Sequence, residues 1–252
     1  MTTLNMLIIV LAVLVMVVGG KKGFMALSSF GINFCLLFLS IILIAGGFSP
    51  IAVAAFSGIC ILAITIFMSD CGEKEANIAF IATLIVLLLM ILLIAPLDHL
   101  IQIQGFSTED SEEVEAFNLA IGVSFESILL ATTVLSTLGA IAEAAIAVAS
   151  GMHELIEQSP KITTHDLRHS GRIIGFQIMG MTFNTLFFGM FGGNLALFIL
   201  LDKLQVSFGY YLNSKIFVGE TCLVLYSSIA VVAVIGVTIE LVVKRSQTFL
   251  QE

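Results

Sequence analysis

Residues 78–95 read IAFIATLIVLLLMILLIA, with one hydroxyl, no charge, and Pro96 immediately after them. At 1.5 Å per residue a helix over this run is about 27 Å long, close to the roughly 30 Å of a bilayer's hydrocarbon. The run is therefore expected to be a transmembrane helix stopped at Pro96.

Working outward, the pattern recurs. Further apolar runs lie at 4–18, 24–45, 51–68, 117–152, 173–201 and 216–243, which makes about seven spans in one membrane domain over 1–252. The composition agrees: 59% of the 252 residues are hydrophobic, 11% are charged, and the mean hydropathy is +1.12. No water-soluble fold of this length hides so much apolar surface, so the expected fold is an all-α polytopic bundle with the lipid bilayer as solvent. Phe is abundant (20) and Trp absent, so the usual aromatic interface belt is thin.

The punctuation fits the spans. Gly19, Gly20, Lys21 and Lys22 close the first run, and no basic residue precedes it, so it reads as a retained span and not a cleaved leader. Gly46-Gly47-Phe48-Ser49-Pro50 marks a tight turn, with Pro50 placed to start the next helix. Spans five and six are too long to be simple. As one straight helix 117–152 would reach about 50 Å, so a break, a tilt, an interfacial lead-in or a re-entrant hairpin is expected, with Gly139 a natural bending point.

Two polar segments interrupt the runs. Residues 97–116 carry six acids and no Lys or Arg, an acidic loop expected outside the cell. Residues 153–172 read as a cytoplasmic amphipathic segment, where Thr163 and Asp166 have capping-box spacing and a helix should start. Seven crossings put Lys21, Lys22, Lys74, Lys161, Arg168, Arg172, Lys244 and Arg245 on one side, and only Lys203 and Lys215 on the other. The basic side belongs in the cytoplasm, so the N-terminus is expected outside and the C-terminus inside.

The net charge of −8 is concentrated in the acidic loop, and no basic patch suits nucleic acid. Cys35, Cys60, Cys71 and Cys222 show no paired spacing and read as small hydrophobic residues. His165 and His169, four apart in HDLRH, resemble half of a zinc site but lack a third ligand nearby, so no metal is expected. Phosphate loops, nucleotide fingerprints and nucleophile elbows are absent, so neither catalytic residues nor cofactors are assigned.

The candidate site rests on polar groups inside spans, which normally face a bundle interior or a wet cavity. In LSTLGAIAEAAIAVASG, Ser136, Gly139, Glu143, Ala147 and Ser150 recur at steps of three and four and share one narrow helical face. A carboxylate there suits cation binding, proton exchange, or helix association. Asn184 and Thr185, with Gln177 seven residues before Asn184, form a second polar strip as ligands or helix glue. Gly180, Gly189, Gly192 and Gly193 around it would permit packing, a hinge or an unwound segment. Glu126 and Glu220 read as solvated interfacial acids, and Glu240 as an i,i+4 partner of Lys244.

The stretch LGAIAEAAIAVASGMHEL (138–155) resembles the signature of the YibE/F-like family of bacterial membrane proteins. DLRHSGRIIG (166–175), GMTFNTLFFGMFGG (180–193) and LYSSIAVVAVIGVTIE (225–240) continue the likeness in order. Lacking a large extracytoplasmic domain, the chain looks like a YibF-type member. The resemblance implies a multi-pass protein of the bacterial cytoplasmic membrane with a YibE-like membrane partner, or a homo-oligomer. The acid Glu143 on its small-residue face, with the glycine-flanked polar patch of the next span, leads to the expectation of a transporter or transporter subunit for a small solute or ion, the alternative being a non-transporting scaffold. Where many members of the family that the chain resembles carry an aspartate in the signature, this chain has Glu143, while Asn184 and Thr185 match the family's Asn-Thr pair.

Overall fold

In hydrocarbon every backbone polar group must be satisfied within its own segment or barrel, and this chain meets the demand with helices. A computed structural model describes residues 2–101 and 125–249, and among them are eight helices and no strand. They are α1 (Thr3–Ala45), α2 (Pro50–Phe67), α3 (Glu73–Ile101), α4 (Phe125–Gln158), α5 (Thr164–Gly193), α6 (Leu195–Lys203), α7 (Phe208–Asn213) and α8 (Lys215–Phe249). The 102–116 portion of the expected acidic loop, and 117–124 of the fifth predicted span, lie outside the described residues, as does the side chain of Glu126.

Six of these helices, not seven, are long and apolar enough to cross a membrane. The difference lies in α1, whose 43 residues hold both of the first two predicted runs. Gly20 breaks it with φ +54° and ψ −128°, a conformation glycine tolerates and L-residues avoid. The bend is sharp enough to set Gly23 against the backbone of Val15, where no side chain would fit. In a straight helix those positions would be about 12 Å apart. The two runs persist as two arms of one helix.

Other boundaries follow local chemistry. Pro50 occupies the first turn of α2, as its missing N–H allows. Pro96 does not stop α3, which continues to Ile101. The predicted segment 153–172 is mostly helix: α4 runs on to Gln158, and only 159–163 separate it from α5. Thr163 caps α5, its Oγ1 accepting from the Asp166 amide at 3.1 Å. The predicted sixth span breaks at Asn194, between α5 and α6.

Helix α4 is the axis of the bundle and packs against α2, α3, α5 and α8. Ile141, Ala144, Ala145, Val148 and Met152 on α4 are fully enclosed, as are Leu62 and Ile66 on α2, Met90 and Ile94 on α3, and Val231 and Val234 on α8. The alanines on α4 let its neighbours approach closely. Close contact between α5 and its neighbours depends on Gly171 and Gly175. A Cβ at Gly171 would lie 2.7 Å from Met152 Sδ, and one at Gly175 would overlap Ile235 Cγ2. Ser57, Thr133 and Thr137, all buried, each donate to a carbonyl of their own helix, whereas the hydroxyls of Ser227 and Thr238 on α8 are buried without a hydrogen-bond partner.

Candidate functional site

On α4 the flanks of Glu143 are buried, yet Glu143 itself is exposed, together with Ser136 and Gly139; Ala147 and Ser150 are half-buried. The most enclosed helix of the bundle thus has one open line, and a carboxylate stands on it. Gly139 has nothing within 4 Å of where a Cβ would lie, so among the described residues no helix covers the line there.

On α5 the second strip is also turned outward. Gln177, Gly180, Asn184 and Thr185 are exposed, while Gly171, Gly175 and Thr182 face inward. Gly180, Gly189, Gly192 and Gly193 have open space around them and make no close packing contact among the described residues. Among the described residues Glu143, Ser150, Gln177 and Asn184 make no side-chain hydrogen bond. Ser136 and Thr185 bond only to carbonyls of their own helices, at 3.0 Å each.

The short turn between them makes α4 and α5 antiparallel, and the contact of Gly151 with Ile174 sets their register. Eight residues back from Gly151 is Glu143, and eight on from Ile174 is Thr182. Asn184 is two residues further, roughly 3 Å along the axis. The structure therefore sets Glu143 and Asn184 at nearly the same depth. It does not enclose them, because Asn184 lies about 200° around the helix from inward-facing Thr182. A single chain presents both groups at its membrane surface.

At one end of the bundle the structure gathers the residues expected in the cytoplasm. Lys22 at the bend of α1 pairs with Asp70 after α2. Arg168 on α5 holds Glu240 on α8 through Nε to Oε1 at 2.7 Å and a terminal nitrogen to Oε2 at 2.8 Å. Glu240 is thus engaged across helices by Arg168, which the spacing to Lys244 did not foretell. His165 is exposed beside Asp166, and no cluster of three or more His, Cys, Asp or Glu among the described residues is placed to hold a metal.

The sequence reading missed a pair at this end. Glu75, in the first turn of α3, is 6% exposed, and no other charged side chain among the described residues is so buried. Its Oε1 lies 2.8 Å from His153 Nε2 on α4, while Oε2 is buried without a partner. The carboxyl folds against Gly72, where a Cβ would occupy its place. His153 also reaches Glu157 at 3.4 Å. The pair borders a cavity of about 190 Å³ between α3, α4, α8 and the turn after α4, whose walls include Ile78, Pro160, Ile162 and Arg245. The available signal was one Glu at the start of a span and one His at the end of another on the same predicted side.

A family model described as YibE/F-like protein matches residues 7–245. Neither a curated protein nor a solved structure matches the chain.

Proposed function

We propose that this chain, which belongs to the YibE/F-like protein family, is a transporter subunit of the bacterial cytoplasmic membrane, passing a small solute or ion with a second membrane chain. The observation that carries the reading is the exposed Glu143 on the otherwise enclosed α4, level with Asn184 on α5. A carboxylate facing lipid is costly, so Glu143 calls for either water or a covering partner. The small residues Ser136 and Gly139 leave room for a helix to approach, which favours a YibE-like partner or a second copy. Glu143, Asn184 and Gln177 would then line a polar path between chains, with the basic end of the bundle in the cytoplasm.

The test is flux in proteoliposomes holding the chain with its YibE-like companion, using protons, Na⁺, K⁺ and Mg²⁺ as probes. Glu143→Gln is expected to lower flux at least about tenfold, and Asn184→Ala to lower it less, with the assembly intact. Unchanged flux in both variants removes this site. The same open line also fits a scaffold that only docks a partner. Loss of assembly in Glu143→Gln, with the companion still transporting alone, would favour that second reading.

A further inference from the structure

Two cavities meet at the basic end of the seam between α3 and α8. The first is the one beside Glu75 and His153. The second, also about 190 Å³, is lined by Ile78, Ile81, Leu241, Lys244 and Arg245. They share Ile78 and Arg245 as a common wall.

Arg245 is half-buried there and has no ion-pair or hydrogen-bond partner among the described residues. Glu75 borders the same first cavity but is taken by His153. A guanidinium is always charged, and holding one away from bulk water without a counter-ion is unfavourable. Lys74 lines the first cavity and Lys244 the second, so each of the two adjoining cavities holds a lysine beside the shared Arg245. The position along the membrane normal is equally specific. The apolar run of α8 ends just before Lys244, and that of α3 begins at Ile78, which places the opening at the headgroup level. Beyond it the walls are apolar, and Ile81 is exposed along the seam.

We propose that this seam binds one anionic phospholipid, its phosphate on Arg245 with Lys74 and Lys244 beside it, and an acyl chain along Ile78, Ile81 and Leu241. The planar fork of arginine matches two phosphate oxygens at once, and basic pockets between spans select anionic headgroups by this chemistry. The inference needs only that the chain sits in a bilayer, and stands whether or not it transports.

Native mass spectrometry of the full chain, purified in mild detergent with equimolar phosphatidylglycerol and phosphatidylcholine, tests it. The wild type should retain phosphatidylglycerol several-fold over phosphatidylcholine. Arg245→Gln should reduce that retention about fivefold, the contribution of one basic side chain at an anionic surface. Lys203→Gln, an equal loss of charge outside the seam, should leave it unchanged. Ile81→Trp should reduce it by blocking the acyl wall without altering charge, and it decides the matter if the arginine variant fails to fold. Equal retention of the two lipids overturns the proposal, and so does equal loss in Lys203→Gln or unaltered retention in Ile81→Trp. Displacement of the lipid by millimolar inorganic phosphate would mark a free-anion site and overturn it as well.

Discussion

Arg168 and Glu240, seventy-two residues apart, form a two-bond ion pair that ties the start of α5 to the end of α8. The fork geometry is good, but the two side chains are 37% and 59% exposed, so solvent screens the attraction. Arg168→Gln and Glu240→Gln should each lower stability only slightly, with a small favourable coupling between them in a double-mutant cycle. Arg168→Lys keeps the charge but loses the second bond, and should recover only part of that coupling. Thermal unfolding in nanodiscs measures it, and strictly additive single effects would show that the pair contributes nothing.

This pair marks the boundary of what the sequence makes legible. Hydrophobic runs announce their own helices because span length is set by bilayer thickness, and the basic residues grouped by crossing parity do converge at one end. The Thr163–Asp166 cap was readable for a similar reason, since it is closed within one turn. Partners across helices are different. Glu240 has a plausible mate four residues away in Lys244, and only packing reveals that Arg168 takes it. Glu75 gives no local sign that it will be buried against His153. Glu143 was recognisable as special by its neighbours' size, while its outward orientation depends on where α2, α3, α5 and α8 leave a gap around α4.

Gly175 and Ile235 determine how closely α5 and α8 approach. A methyl at position 175 would overlap Ile235 Cγ2, so Gly175→Ala should destabilise by about 1–3 kcal/mol, the usual cost of overpacking. Ile235→Ala removes the obstructing methyl and creates a cavity of its own. In the double variant the two changes should compensate, leaving it more stable than the sum of the single effects predicts. Additive losses in thermal unfolding would mean that α8 yields elsewhere.

Glu75 is buried with one oxygen unpartnered, so His153 is its remaining support within hydrogen-bond reach. His153→Ala strands the carboxyl, at an expected cost of about 1–3 kcal/mol. Glu75→Gln removes the charge but keeps the shape and should cost less. The paired change Glu75→Met with His153→Leu should be milder than His153→Ala alone, because it leaves no buried charge behind. Glu157→Gln should have little effect, since that carboxyl is 71% exposed and lies at 3.4 Å. A ranking in which the paired apolar change is the worst of the four would show that the polar contact itself is what holds α3 to α4.

Gly20 supplies the corner of α1. Its φ of +54° with ψ of −128° strains any residue bearing a Cβ, by roughly 1–3 kcal/mol. Gly20→Ala therefore favours straightening, which would carry the arm before the bend away from the arm after it. Spin labels at Val10→Cys and Phe30→Cys, in a background free of the native cysteines, read this directly. A straight helix would put the two backbones about 30 Å apart, and the bend of the wild type should hold them closer. The substitution should move the distribution towards the straight value. If both proteins give the same distance, the corner is imposed by contacts such as that of Lys22 with Asp70, and not by the glycine.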